Sequence, residues 1–174
     1  MITYDYWKEQ SWASERDQSL EFEADILKEA LALWCAHAEP GAIPRRNALT
    51  SRAMKPFLGN AVISERQKDG RYRLQLMGSR ISLMIGDMEG HLLDDCLPSD
   101  ALRRWSDAFD QALTQLHPFR FVSSVAILDL RFLRAEILLA PLLDEEGLPA
   151  IVLGVATFKS DTCGKREAVT AAVA

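Results

Sequence analysis

Along Arg71–Met77 apolar and polar side chains alternate, with Tyr72, Leu74 and Leu76 on one side and Arg71, Arg73 and Gln75 on the other. A period of two predicts a half-buried strand. The strand stops at Gly78, and Gly86 and Gly90 then bracket a compact segment in which the backbone turns sharply. The same period recurs over 119–128, with Phe119, Phe121, Ser123, Val125 and Ile127 sharing a face. It recurs again where Leu133, Ala135, Ile137 and Leu139 interleave with Arg134 and Glu136. Short strands at Ala61–Glu65 and Ile151–Phe158 bring the number to five. Lys68-Asp69-Gly70 and Asp144–Gly147 read as the turns that join neighbours.

Two stretches change to helical spacing. Over 19–38, Leu20, Leu27, Leu31, Trp34 and Ala38 form a stripe widened by Ile26, Ala30 and Leu33. Ser19 is the expected N-cap, and Pro40-Gly41 ends the helix. The second helix starts at Pro98-Ser99-Asp100, buries Leu102, Trp105, Phe109, Leu113 and Leu116, and stops at His117-Pro118. Residues 1–18 read as a polar, aromatic arm and 159–174 as a frayed tail, which leaves 19–158 as one domain. Hairpin-joined strands with helices gathered between them predict an α+β fold, an antiparallel sheet covered on one face. The stripe of the first helix packs either on its own domain or on a partner. The second alternative makes Leu27, Leu31 and Trp34 a homodimer interface.

Composition narrows the function classes. The chain has 174 residues, 48% hydrophobic and 26% charged, with a formal net charge of -5. That charge gives no electrostatic case for nucleic-acid binding. Its three cysteines, Cys35, Cys96 and Cys163, are widely spaced and form neither a disulfide framework nor a metal motif. The polar N-terminal stretch is no signal peptide, and the longest apolar runs, such as Ile137–Leu143, are too short for a membrane span. A cytoplasmic protein with reduced thiols is expected.

The order of elements resembles the PAS fold, in which helices are inserted after the second of five antiparallel strands. The local motifs are similar to those of a stand-alone PAS-like family of alphaproteobacteria. They stand here as Pro44-Arg45-Arg46, as Arg71-Tyr72-Arg73-Leu74 running to Gly78-Ser79, as Gly86 to Gly90, and as Glu136 to Pro141-Leu142. The likeness spans about residues 25–158 and adds an amphipathic N-terminal helix to the five strands. The chain departs from the family pattern at Asn47-Ala-Leu-Thr, at Ser79 and at His91. The hydroxyl of Ser79 keeps the capping role open. The resemblance implies a non-enzymatic sensory or regulatory domain that takes a small ligand, docks on signalling proteins, or does both.

The candidate chemistry is sparse. Arg45 and Arg46 are the candidate anion site, since guanidinium forks pair bidentately with carboxylate or phosphate. Neighbours in an extended segment point to opposite faces, so only one of them faces a given pocket. The competing reading pairs one of them with Glu136 or Asp95. Glu136, mid-strand among apolar residues, is expected to pair with Arg73 or Arg134, the alternative being a buried acid with a raised pKa. Leu76, Trp105, Phe109, Val125 and Ile137 are expected to line a pocket between sheet and long helix, unless that space is filled by packing alone. No metal site is expected: Cys35 and His37 lie roughly 200° apart around a helix. No cofactor is predicted, and haem through His117, or a flavin, stays as the alternative. Neither a Ser-His-Asp order nor a phosphate loop is present.

Overall fold

The longest apolar run of the chain lies in one central strand, β5 (Arg131–Leu143), where Ile137–Leu142 is buried without a break. A strand without alternation has no face to give to water, so both faces of its sheet must be covered. The computed structural model shows that arrangement. It describes residues 14–17, 19–127 and 131–161, with the backbone alone at 14–17, 123–127, 131–133 and 160–161. The rest of the expected arm and tail, and Cys163, lie outside the described residues.

The sheet has the spatial order β1 (Ser14–Asp17), β4 (Phe119–Ile127), β5, β6 (Pro149–Asp161), β2 (Ala61–Arg66) and β3 (Tyr72–Met77). Every neighbouring pair is antiparallel. The five expected strands are all present. A sixth, β1, comes from the expected arm and pairs Ser14–Asp17 with Ser123–Arg120, using the open edge of β4. The last strand also runs on to Asp161, into what reads as tail in the sequence.

On one face lie α2 (Ser79–Ile85), α3 (Leu93–Cys96) and α4 (Ser99–Gln115), which bury Ile81, Leu93, Ala108, Phe109 and Leu113 against Tyr72, Leu74, Phe119, Ile137 and Leu139. On the other lies α1 (Asp25–His37) with the segment from Ile43 to Phe57, packed on Ile63, Leu138, Ala140, Leu142 and Leu153. The sheet is therefore covered on both faces rather than one. Helix α4 ends at Gln115, and Leu116 takes a left-handed φ of 54° and turns outward, so it leaves the apolar face on which periodicity places it.

Helix α1 starts at Asp25, six residues after the expected Ser19 cap. Ser19 Oγ instead accepts the Glu21 N–H, and Leu20 adopts a left-handed φ of 56°, which breaks any helix there. Ala24 is the N-cap and offers no side-chain acceptor. The acceptor arrives from the strand beneath: Glu136 Oε1 takes the Glu23 N–H at 2.9 Å and Oε2 takes the Ala24 N–H at 3.1 Å. A carboxylate at a helix start also suits the helix dipole. Arg120 Nε donates to Glu136 Oε1 at 2.8 Å, so the partner of this acid is Arg120, not Arg73 or Arg134. Arg73 donates to Gly90 O, and Arg134 pairs with Glu23 at 3.1 Å. Burial pushes the Glu136 carboxyl up, but the Glu23, Arg120 and Ala24 donors together outweigh it and hold the group below the usual carboxylate range. It is an ionised anchor rather than a buried acid.

The face of α1 expected to meet a partner is used within the chain. Leu27 is fully buried, Leu31 packs against the same core, and Trp34 donates its indole N–H to Pro141 O at 2.8 Å. The Trp34→Phe variant is therefore expected to lose about 1–3 kcal/mol by orphaning that carbonyl, with no change of mass by light scattering. A folded Trp34→Glu protein of lower mass than the wild type sinks the intramolecular assignment.

Because Glu136 titrates lower in the folded chain than in the unfolded one, its contribution is fully present above about pH 4.3, the ordinary carboxylate value. It is lost as pH falls through the lower folded value. Glu136→Gln is expected to cost on the order of 3 kcal/mol near neutral pH, with the gap to wild type narrowing below about pH 4. Urea unfolding of both proteins across that range measures it, and a gap independent of pH contradicts the anchor.

Candidate functional site

Strand β3 builds one wall of the candidate site, and its register departs from simple alternation. Ile63 pairs with Leu76 but Ser64 pairs with Leu74, so Gln75 is an extra residue in a β-bulge. Before the bulge, Tyr72 and Leu74 face α4. After it, Met77 keeps that face while Leu76 turns to the α1 side. Leu76 is therefore not a pocket residue, and Met77 takes the place that the alternating pattern gives it.

Gly78 ends the strand with an ordinary φ of −63°. Its lack of a side chain matters for another reason: a Cβ there would collide with the carbonyl oxygens of Leu58 and Gly59. Gly78 is the N-cap of α2 and donates to Ala61 O at 2.7 Å, while Ser79 is the first helical residue and caps nothing. At the far end Gly86, with φ 90° and ψ 158°, makes the turn that few other residues adopt. Glu89 then reaches back so that its Oε2 accepts the Met77 N–H, and Gly90 N donates to Leu74 O. The 88–92 segment thereby covers the outer edge of β3.

These elements enclose an apolar cavity of about 100 Å³ between the sheet and the helices. Leu74 and Met77 of β3, Ile81 and Ile85 of α2, and Trp105 and Phe109 of α4 line it. Ile137 and Leu139 of β5 close it from the sheet. Three expected residues, Trp105, Phe109 and Ile137, thus converge, and the side chain of Val125 lies outside the described residues. Two further contributions go beyond the expected set: Met77, which the bulge hides from a simple alternation, and the Ile81–Ile85 pair, whose spacing of four on a helix is a legible signal. Trp105 and Phe109 have ring centroids 5.8 Å apart, and Phe109 meets Tyr72 edge-on at 5.1 Å. The Tyr72 hydroxyl donates to Asp110 Oδ1 at 2.7 Å; burial first, then this bond, pushes its ionisation far up.

Apart from the indole N–H of Trp105, the described lining carries one side chain with strong hydrogen-bonding groups, Asn60, and both ends of its amide are engaged. Nδ2 donates to Ala156 O at 2.8 Å, and Oδ1 accepts from Arg80 Nη1 at 3.2 Å. A flavin ring needs several donors and acceptors along its polar edge, and a haem iron needs an axial ligand. Neither histidine nor cysteine is among the lining residues, and His117 Nδ1 instead lies 2.7 Å from Pro118 O. The lining therefore fits neither group. Burial, then Asp95, raises the Cys96 thiol, which keeps it protonated. Among the described residues no cluster of His, Cys, Asp and Glu is suited to a metal, and no helix is long and apolar enough to cross a membrane.

The remaining expected site residues lie elsewhere. Glu136 faces α1, on the side of the sheet away from the cavity, and so has no access to its contents. Arg45 lies against the β5–β6 turn, with Nη1 3.4 Å from the carbonyls of Asp144 and Glu145. Arg46 opens a 3-10 turn over Arg46–Ala48 and donates from Nη1 to Leu49 O at 2.8 Å. Neither pairs with Glu136, whose donors are Arg120 and the two backbone amides.

An antiparallel sheet with a helical insertion after the β2–β3 hairpin, closing a small cavity against a long helix, defines a domain of the sensory PAS type. A family model described as PAS domain matches residues 23–157, and the chain belongs to that family. Two solved structures are similar in fold. The light-state LOV domain of the blue-light photoreceptor Aureochrome1 is 18% identical, with a TM-score of 0.41, over 66% of this chain and 92% of that one. An RNA-binding Light-Oxygen-Voltage receptor is 9% identical, with a TM-score of 0.46, over 94% of this chain and 42% of that one. No curated protein matches.

The contact at Gly78 makes a sharp prediction. Gly78→Ala forces the Leu58–Gly59 backbone away from the start of α2 and is expected to lose about 1–3 kcal/mol, the range for overpacking. Urea unfolding measures it, and a variant as stable as the wild type removes Gly78 as the close-approach point.

Proposed function

We propose that this chain is a non-enzymatic sensory domain that takes a small apolar molecule into the cavity between its sheet and α4. The observation that carries the reading is the cavity itself, about 100 Å³ and almost wholly apolar in its lining. Pockets for drug-sized ligands hold roughly 300–1,000 Å³. An engineered apolar cavity of about 150 Å³ stays dry and takes up benzene or xenon. The size therefore favours a compact molecule without charge, on the scale of a single aromatic ring or smaller.

The route outward follows from β5. Ile137 lines the cavity while its neighbour Glu136 holds the start of α1, and Pro141 further along accepts from Trp34. A ligand that shifts β5 would shift α1 with it, provided the ligand binds the two arrangements with different affinity. A signalling protein that reads the position of α1 is the partner this reading implies.

Benzene and toluene are suitable probes. A ligand at about a hundredfold excess over its Kd stabilises the folded state by ~2.7 kcal/mol. The thermal midpoint of the wild type is expected to rise in a saturable manner by several degrees. Ala135→Leu, which fills the cavity from β5, is expected to abolish that rise. No rise in the wild type, or an equal rise in the filled variant, overturns the reading.

A further inference from the structure

The Pro44-Arg45-Arg46 motif is not absorbed by the cavity, and its second arginine stands apart from the other shielded arginines. Arg120, with its side chain 12% exposed, faces two carboxylates, Glu136 at 2.8 Å and Glu23 at 3.8 Å. Arg46 is half-buried, yet its recorded partner is a single neutral carbonyl, Leu49 O. One bond on Nη1 leaves most of the five N–H donors of a guanidinium without a recorded acceptor. Burial alone lowers its ionisation, with no opposing contribution from a carboxylate. Shielding a cation without pairing it is costly, and an incoming anion removes that cost.

Arg46 forms part of the wall of a cleft of about 920 Å³ on the α1 side of the sheet, bounded by the β2–β3 and β5–β6 turns. Three neutral amide side chains share the lining: Asn47, Gln67 and Gln75. Gln75 is the extra residue of the β3 bulge; its amide and that of Gln67 both donate to Glu65 Oε2 and hold that carboxylate in the cleft wall with its charge intact. Leu148 and Ala150 add an apolar surface, Arg66 (3.6 Å from Asp110) and Lys68 add cations, and Asp144, Glu145 and Glu146 add acidic groups.

We infer that this cleft is a second binding site, for a small organic carboxylate of low net charge, with Arg46 as the fork that receives the carboxylate. The charge pattern selects the class. Four carboxylates, Glu65, Asp144, Glu145 and Glu146, face three cations, Arg46, Arg66 and Lys68, and this slight acidic excess disfavours phosphate and dicarboxylates. The same acidic groups favour a ligand that carries an ammonium beside its carboxylate, as an α-amino acid does, and the apolar surface favours an aliphatic side chain. The site lies on the opposite face of the sheet from the cavity, so its fate is independent of the apolar-ligand reading.

The test is a titration of the full isotope-labelled chain, followed by amide shifts, with leucine, propionate, succinate and inorganic phosphate as probes. Leucine is expected to give saturable shifts at 45–49, 65–75 and 144–151 with a Kd of about 1 mM or tighter, with propionate weaker and the two dianions weaker still. Arg46→Gln is expected to weaken leucine binding by about tenfold to a hundredfold, the range for a charge-assisted hydrogen bond. Arg46→Lys keeps the charge but not the fork and should recover only part of it. Ala150→Phe occludes the cleft without touching Arg46, and loss of binding there supports the site even if the Arg46 variants fold poorly. The inference is overturned by absence of saturable shifts in the cleft, by phosphate or succinate binding as tightly as leucine, by propionate matching leucine, or by Ala150→Phe binding as the wild type does.

Discussion

One buried carboxylate ties the first helix to the sheet. Glu136 lies on a strand whose neighbouring residues are apolar, and it is ionised because three donors converge on it. Two of those donors are backbone amides at the entry to α1, which has no side-chain cap of its own. The third is Arg120, itself shielded and held between Glu136 and Glu23. Removing one member of such a set leaves another buried and uncompensated, which is why broken buried pairs are costly. The anchor decides where α1 begins and that it lies on the sheet.

Much follows from that placement. With α1 and the segment after it on one face, β5 is buried on both sides, and its unbroken apolar run becomes intelligible. The other face is then left to α2, α3 and α4, whose packing against the sheet is imperfect enough to leave a cavity. Cores of this kind rarely hold voids larger than a water molecule. One side of the sheet is held by a polar anchor, and the other keeps the empty space. Successive residues of β5 belong alternately to the two, so the strand is common to both.

Legibility in the sequence tracked how local each cause is. The five strands and the long α4 rest on periodicities that the chain displays directly, and the family motifs added their order. The start of α1 was misplaced because its acceptor comes from Glu136, 112 residues away from Ala24. The double covering of the sheet was signalled by the Ile137–Leu143 run, which reads in isolation only as a stretch too short for a membrane. Spacing along the chain does not reveal Arg120 as the partner of Glu136, because strand pairing brings them together. Trp105, Phe109 and Ile137 are legible as cavity residues from helical and strand spacing, whereas strict alternation misassigns Leu76.

That misassignment points to a division of labour within β3. The bulge removes Gln75 from the count, so Leu74, Leu76 and Met77 face as they would in a regular strand without it. Residues on either side of the bulge are constrained by two cores at once. Position 75 is constrained by neither, and its side chain is directed to the polar cleft beside Glu65. Within this strand, it is the position at which the chemistry of the cleft is open to evolutionary change while both packed layers stay as they are.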